Sequence, residues 1–298
     1  MNLLNSLSEA ESRKIASYWD ELESEFMGLD IEYFRYVYGT ACWLQTLKHQ
    51  SGNEKYFLGV SGAQGSGKST FSRMLVLTLD KVFDSASLVL SLDDFYLPRK
   101  ERQRLSEIVH PLLKTRGVPG THDIDLMQEV LSDAEAGRVT RIPAFDKSLD
   151  DRVGFQESDC NKLDYVIIEG WCWGAKPVGE NELGEAINSL ETNRDRNGAW
   201  RRYVNSRLAS YQGLFNTDAS IFLAVPDMQS VLEWRWQQES ELERGSGRMS
   251  KKEIQNFIMH FERISQRMLL QMPEEADLTI KLDQNHHVES ACLRDFCL

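Results

Sequence analysis

A glycine-rich segment in the first quarter of the chain carries the residue types that hold phosphate. Residues 62–69 read GAQGSGKS, in which two glycines are separated by four residues and followed at once by Lys68 and Ser69. The glycines let the backbone curl so that its N–H groups face an anion at the start of a helix. Lys68 can reach the β- and γ-phosphates of a nucleoside triphosphate, and the Ser69 hydroxyl can ligate Mg²⁺. The segment predicts a phosphate loop made of Gly62, Ala63, Gln64, Gly65, Ser66, Gly67, Lys68, Ser69 and Thr70.

Carboxylates at the ends of two apolar segments are the candidates for chemistry on that phosphate. Asp93 and Asp94 come at the end of the segment 87–92, and Glu169 closes the segment 164–169. Glu169 is placed as an acid that binds Mg²⁺ directly or through water. Either aspartate is suited to act as a general base or as a metal partner, but acidic residues also commonly cap the turn after a strand. The residues alone leave the roles of this pair open.

Short apolar segments must position these side chains. Five of them alternate with amphipathic helical patterns, at 56–61, 87–92, 164–169, 219–225 and 277–282. Strands that are apolar on both faces and separated by helices are typical of a parallel sheet with right-handed crossovers. We therefore expect an α/β fold with a five-stranded parallel sheet flanked by helices.

The first fifty residues have a different pattern. Residues 8–50 are predicted to form two helices, the second with an apolar face formed by Phe34, Val37, Tyr38, Ala41 and Leu44. An aromatic stripe of this kind is more often core than binding surface. We expect an N-terminal helical appendage over 1–55, packed on a main domain over 56–298.

The composition argues against several classes of protein. The net charge of −12 and the pI near 5.1 disfavour a nucleic-acid or anionic-membrane surface. The five cysteines contain no CxxC pair and are odd in number, which favours a reduced, cytoplasmic protein. No segment reaches the length of a membrane span. His286 and His287 have no carboxylate or cysteine at ligand spacing, so we interpret them as surface residues rather than a metal site.

A guanine-nucleotide site is the first alternative, because the residues NKLD at 161–164 match a motif that reads guanine. In GTPases that motif follows a buried strand, whereas here it precedes the apolar segment YVIIE. The DRVG stretch at 151–154 also matches DxxG, but no apolar strand delivers it to a γ-phosphate. We interpret both matches as chance.

The motifs together resemble a superfamily of kinases that contains uridine kinase, phosphoribulokinase and pantothenate kinase. The shared features are the phosphate loop, DDFYL, the segment from Pro143 to Asp146 and an apolar strand that ends in Glu-Gly. The stretch RGVPGTHD at 116–123 is similar to one in bacterial pantothenate kinases. A closer resemblance, from about Tyr56 to about Asp283, is to D-glycerate 3-kinases, through SLDDFYLP, RGVPGTHD, PAFDKS, EGWCWG, WRWQQE and GSGRMS. Phe145 stands where that family usually has tyrosine.

This resemblance implies the P-loop NTPase fold, ATP and Mg²⁺ as cofactors, and a role for particular residues. Asp93 aligns with the base that contacts the acceptor hydroxyl, which makes Asp94 a partner of Mg²⁺ beside Ser69 and Glu169. Arg235 lies where the superfamily has a mobile lid, so we expect it to act on the transferring phosphoryl group together with Lys68. The residues expected to bind the acceptor are Asp93, Arg116, His122, Lys147 and Trp171.

The reaction implied by the resemblance is ATP-dependent phosphorylation of a small hydroxy acid, D-glycerate to 3-phosphoglycerate. Two alternatives stay open. One is a kinase for another hydroxylated metabolite, such as pantothenate or a nucleoside. The other is a regulatory protein that binds ATP without transferring phosphate to a small molecule.

Overall fold

A computed structural model of the chain describes residues 9–26, 30–241, 249–294 and 296–297. Its helices are α1 (Glu9–Glu25), α2 (Ile31–Ser51), α3 (Lys68–Phe83), α4 (Arg99–Ile108), α5 (Ile124–Glu135), α6 (Ser189–Arg194), α7 (Ala199–Leu208), α8 (Met228–Glu241), α9 (Lys251–Ile258) and α10 (Glu262–Glu275). Its strands are β1 (Tyr56–Gly62), β2 (Ser87–Ser91), β3 (Val139–Asp146), β4 (Asp151–Asp159), β5 (Tyr165–Gly170), β6 (Ala219–Ala224), β7 (Leu278–Leu282), β8 (Val288–Leu293) and β9 (Phe296–Cys297). Residue 8, where the first helix is predicted to begin, and most of the GSGRMS motif lie outside the described residues. No helix within the described ranges is long and apolar enough to cross a membrane.

The central sheet confirms the five predicted strands and their parallel pairing. Its order is β2-β5-β1-β6-β7-β8-β9, and the first five of these strands run parallel to one another. β8 and β9, which the sequence analysis did not predict, extend the sheet antiparallel beyond β7. The direction reverses there because a tight turn, and not a helical crossover, joins β7 to β8.

The five parallel strands end at the same edge of the sheet, and each delivers a different segment to that edge. β1 leads into the phosphate loop, β2 into Asp93 and Asp94, β6 into α8 and β7 into the turn 283–287, while β5 ends with Glu169 and Gly170. Because β1 lies between β5 and β6, the phosphate loop stands near the middle of this edge. Open parallel sheets bind their ligands just outside the carboxyl ends of the strands.

An antiparallel ribbon lies apart from the central sheet. β3 and β4 pair with each other along their length, with a bulge between Ala144 and Phe145. The sequence does not predict this ribbon, because its strands leave many residues exposed and lack the apolar runs of a buried strand. Its tip, residues 146–151, reaches the same sheet edge, where Lys147 contacts Asp93.

The N-terminal helices pack on the helix that follows the phosphate loop. The predicted apolar face of α2 is buried, and both α1 and α2 contact α3. Phe34 and Leu44 belong to the same core cluster as Leu58 and Val60 of β1. The helices therefore share a core with the strand that carries the loop. The division at residue 55 stays a prediction.

Candidate active site

The phosphate loop has the backbone conformation that its glycines predict. Gly65 and Gly67 both have φ of +81°, in the left-handed region that favours glycine. A Cβ atom at Gly62 would lie 2.6 Å from the Ser66 hydroxyl and 3.0 Å from the Leu223 carbonyl oxygen, so the turn has no room for a side chain there. Gly67 is the N-cap of α3, which leaves the first N–H groups of that helix free of intrahelical acceptors and directed toward the loop. This arrangement suits an anion.

Glu169 is buried beside the loop. Its Oε1 atom accepts hydrogen bonds from the Ser69 hydroxyl at 2.9 Å and from the Ser91 hydroxyl at 2.6 Å. Its side chain is held at the centre of the edge because β5 pairs with both β1 and β2. The Oε2 atom is buried and has no hydrogen-bond partner within the described chain. A buried carboxylate oxygen without a partner is costly unless a cation or donor binds it, so Ser69 and Glu169 fit a Mg²⁺ site.

The charges of two other carboxylates of this site, Asp93 and Glu169, act on Asp94. Burial, together with the charges of Asp93 and Glu169, raises the pKa of Asp94 to about 6. Within the described ranges no cluster of three or more His, Cys, Asp or Glu side chains has the spacing of a metal cage. Mg²⁺ does not require such a cage, because it is commonly held by one or two carboxylates, water and the phosphates of a nucleotide.

Asp93 is held from two sides. Its Oδ1 atom accepts a hydrogen bond from the Tyr96 hydroxyl at 2.6 Å, and its Oδ2 atom accepts one from Lys147 Nζ at 2.7 Å. Burial by itself would raise the pKa of Asp93, but the charges of Lys147 and Lys68 outweigh it and hold the pKa well below its ordinary value. Asp93 is therefore ionised at neutral pH, as a group that accepts a proton must be.

A cavity of about 330 Å³ joins the phosphate loop to most of the predicted acceptor residues. Besides loop residues, it is lined by Asp93, Arg116, Lys147, Trp171 and Arg235. Three cationic side chains from distant parts of the chain therefore face one space beside Asp93. That space suits a small anionic molecule that carries a hydroxyl group.

Arg116, which lines this cavity, is anchored by two neighbours. Its guanidinium pairs with Asp150 and lies 5.6 Å from the centre of the Phe145 ring. Phe145 also packs edge-on against Tyr96, with 5.0 Å between ring centroids. Phe145, which stands where D-glycerate 3-kinases usually have tyrosine, thus contacts both Arg116 and Tyr96 through its aromatic ring.

Two predicted acceptor residues have other surroundings. His122 is 4% exposed, its Nδ1 atom lies 2.8 Å from the Tyr211 hydroxyl, and it is not among the described residues that line the cavity. Burial lowers the pKa of His122 to about 4, so the imidazole is neutral and offers no charge to a carboxylate. Trp171 does line the cavity, but its indole N–H donates to the Gly117 carbonyl at 2.7 Å. It therefore presents an apolar ring to this space.

Arg235 extends from α8 toward the loop. It pairs with Glu239 one turn further along the helix, at 3.0 Å between Nη2 and Oε2. The other oxygen of Glu239 accepts a hydrogen bond from the backbone N–H of Met249 at 2.9 Å. The neighbouring Trp234 is a packing residue, 3% exposed.

His286 is a residue of this site that the sequence analysis placed wrongly. Its Nε2 atom lies 3.0 Å from the carbonyl oxygen of Gly65, and its φ of +64° turns the ring toward the loop. The interpretation of His286 as a surface residue is therefore wrong, although the side chain of His287 is exposed. One signal was available, because DQNHH directly follows the last parallel strand and so begins at the edge that carries the loop. Tyr96 was also missed, although it lies within DDFYL.

A second cavity, of about 590 Å³, opens on the other side of the loop. Its lining includes Phe26 and Tyr33 from the N-terminal helices, Arg73 from α3, and Asn285 and His286 from the turn after β7. Gly65, Gly67 and Thr70 line both cavities. The phosphate loop thus borders two cavities. Four cationic side chains line the first, Lys68, Arg116, Lys147 and Arg235, and the second combines the aromatic rings of Phe26 and Tyr33 with the charged Glu25, Asp30 and Arg73.

A loop that binds phosphate, beside an ionised carboxylate in a space open to a small molecule, is the arrangement used by kinases of the P-loop class. No family profile matches the chain. The uncharacterized kinase mug58 of Schizosaccharomyces pombe is 32% identical over 252 residues, which span 80% of this chain and 86% of that protein. The probable ATP-dependent kinase TDA10 of Saccharomyces cerevisiae is 29% identical over 273 residues, which span 82% of this chain and 91% of that protein.

The chain belongs to the kinase family of mug58 and is an ATP-dependent P-loop kinase that acts on a small molecule. Among solved structures, a D-glycerate 3-kinase from Cryptococcus neoformans has a similar fold. Its TM-score is 0.72 at 23% identity, over 86% of this chain and 98% of that chain. A likeness at this level of identity concerns the fold alone.

Proposed function

We propose that the protein transfers the γ-phosphate of ATP to the 3-hydroxyl group of D-glycerate, with Mg²⁺ as the metal ion. The observation that carries the proposal is the convergence of Arg116 and Lys147 on the cavity that contains Asp93 and the phosphate loop. A hydroxy acid needs a cation for its carboxylate and a base for its hydroxyl, and this cavity supplies both. The motifs that resemble those of D-glycerate 3-kinases support the same acceptor.

The nucleotide is expected to span the loop. Its phosphates bind the N–H groups of the loop and Lys68, and its base enters the cavity lined by Phe26 and Tyr33. An aromatic wall suits the flat face of a purine. The N-terminal helices therefore belong to the proposed nucleotide site as well as to the core.

The transfer step uses residues that line the cavity beside Asp93. The acceptor oxygen attacks the γ-phosphorus while its proton passes to Asp93, and the bond to the bridging oxygen breaks so that ADP leaves with the electron pair. Lys68 and Arg235 lie beside this space and offset negative charge that develops on the phosphoryl group. Asp93 is oriented for the proton by the hydrogen bond from Tyr96.

Mg²⁺ would be held by Ser69 and Glu169, with Asp94 as an indirect partner through water. The bound ion would supply positive charge to the β- and γ-phosphate oxygens. Glu169 receives both hydroxyl groups on its Oε1 atom, which leaves the Oε2 atom available to a cation.

Release of ADP measured against a panel of acceptors tests this proposal. The panel contains D-glycerate, other hydroxy acids, sugars, nucleosides and pantothenate, which carries both a carboxylate and hydroxyl groups. We expect D-glycerate to stimulate release most strongly. Stimulation by pantothenate or a nucleoside instead would identify another acceptor, and turnover indifferent to every acceptor would favour a regulatory ATP-binding protein.

A further inference from the structure

The turn at the tip of the ribbon fixes the backbone of Lys147 but leaves most of its side chain exposed. Asp146 accepts hydrogen bonds from the backbone N–H groups of Ser148 at 2.7 Å and Leu149 at 3.1 Å. The buried Arg102 donates to the carbonyl oxygen of Asp150 at 2.6 Å. The side chain of Lys147 is nevertheless 62% exposed, on a stem of four carbons.

In this structure Lys147 occupies the oxygen that the proposed reaction needs. Its Nζ lies 2.7 Å from Asp93 Oδ2, and the other oxygen of Asp93 already accepts from Tyr96. A hydroxyl group that delivers its proton to Asp93 has to approach one of these two oxygens. The Tyr96 hydroxyl is buried and fixed, so the exposed ammonium group is the one that can give way.

The ammonium group is the more exposed member of this ion pair, since 62% of the Lys147 side chain and 26% of the Asp93 side chain are exposed, so water competes for Lys147 more than for Asp93. Arg116, the other cation expected to bind the acceptor, differs in this respect, since it is less exposed and pairs with Asp150. Of these two cations, Lys147 alone contacts Asp93.

We propose that Lys147 moves from Asp93 to the carboxylate of the acceptor, so that the base is uncovered only when a carboxylic acid is bound. This inference rests on the proposed function, because it takes Asp93 as the base and a hydroxy acid as the acceptor. It gives Lys147 a role in specificity. Without an acceptor, the ammonium group covers Asp93, and water in the cavity cannot pass a proton to it while attacking ATP to give ADP and phosphate.

Lys147→Met tests the first consequence. Loss of the ammonium group uncovers Asp93 permanently, so we expect ATP hydrolysis without acceptor to rise about tenfold and the KM for D-glycerate to rise by about the same factor. Lys147→Arg should restore part of the difference, because it keeps the charge. Lys100→Met on the exposed face of α4 is the matched control and should change neither quantity.

A carboxylic acid without a hydroxyl group gives a second, sharper test. Propionate should draw Lys147 away from Asp93 and leave room for water where the acceptor hydroxyl would lie. We expect propionate to stimulate ATP hydrolysis several-fold in the wild-type protein, because the loss of one contact changes a rate or an affinity by up to about tenfold. We expect no stimulation in Lys147→Met. Propionate that inhibits phosphorylation of D-glycerate competitively without stimulating hydrolysis would overturn the proposal.

The two proposals fail in different ways. If D-glycerate is not phosphorylated but Lys147→Met still raises hydrolysis, the acceptor is wrong and the role of Lys147 in covering the base stands. If D-glycerate is phosphorylated and neither Lys147→Met nor propionate changes hydrolysis, the function stands and the role of Lys147 is overturned.

Discussion

The imidazole ring of His286 stacks on the indole ring of Trp234, with 3.8 Å between ring centroids. The pair joins α8, which carries Arg235, to the turn after β7. It also reaches the phosphate loop, because His286 Nε2 lies 3.0 Å from the Gly65 carbonyl oxygen, and a Cβ atom at Gly65 would lie 3.1 Å from the Cβ of Trp234. Three elements that are distant in sequence are therefore held together at the loop.

His286→Ala should weaken ATP binding. Loss of the contact to Gly65 and of the stacking on Trp234 loosens the loop that holds the phosphates, so we expect the KM for ATP to rise about three- to tenfold. The KM for the acceptor should change less. Steady-state kinetics with ATP varied will measure this, and His49→Ala on the exposed end of α2 is the control. Equal effects of the two substitutions would contradict a role for His286 at the loop.

Asp93→Asn should lower kcat by about two orders of magnitude or more, the usual scale for loss of a general base. ATP binding, measured by calorimetry, should persist, because Asp93 lies on the acceptor side of the loop. Asp125→Asn on the exposed face of α5 serves as the control. Turnover that stays within a few-fold of wild type would show that another group accepts the proton.

Lys68→Ala should remove most of the activity, because the γ-phosphate loses its nearest cation. Excess EDTA should abolish transfer by the wild-type protein, and Glu169→Gln should raise the Mg²⁺ concentration needed for half-maximal rate about tenfold. Glu157→Gln on the exposed ribbon is the matched control. Full activity in excess EDTA would rule out the site assigned to Ser69 and Glu169.

The phosphorylated oxygen should be the one farthest from the carboxylate. When Arg116 or Lys147 holds the carboxylate at one end of D-glycerate, the 3-hydroxyl lies at the other end, and transfer there avoids repulsion between the carboxylate and the γ-phosphate. Phosphorus NMR of the product distinguishes the two outcomes, since a 3-phosphate couples to two neighbouring protons and a 2-phosphate to one. A doublet from a single neighbouring proton would show that the substrate binds reversed.

His122 should make the folded state less stable in acid. Burial lowers its pKa from 6.5 to about 4, so between these pH values the unfolded chain binds a proton that the folded chain does not. The contribution of His122 to the free energy of unfolding is fully present above about pH 6.5. It is lost as the pH falls toward 4, and the complete loss is on the order of 3 kcal/mol. Urea unfolding of wild type and His122→Gln at pH 7.5 and 5 should show a smaller loss of stability in the variant. Parallel losses would contradict the assignment.

Local sequence was sufficient to predict the sheet and the loop. The five parallel strands are continuous apolar runs, and Asp93 and Glu169 lie at their ends, so pattern and position agree. Local sequence could not assign the roles of Asp93 and Asp94, because the short turn after β2 determines which of the two side chains contacts Tyr96 and Lys147. The contact of His286 with Gly65 joins residues 221 apart in sequence, so only the position of DQNHH after the last parallel strand indicated it. The exposed ribbon had no apolar periodicity to reveal it.

The ribbon of β3 and β4 has an evolutionary consequence. Among the described strands, these two pair only with each other, yet their tip carries the lysine that contacts Asp93. Substitutions in an exposed ribbon disturb folding less than substitutions in a buried parallel strand. Under the proposed role of Lys147, substitutions in the ribbon can change the acceptor while the phosphate loop is retained. Grafting ribbons between members of the family is the corresponding route to engineered acceptor choice.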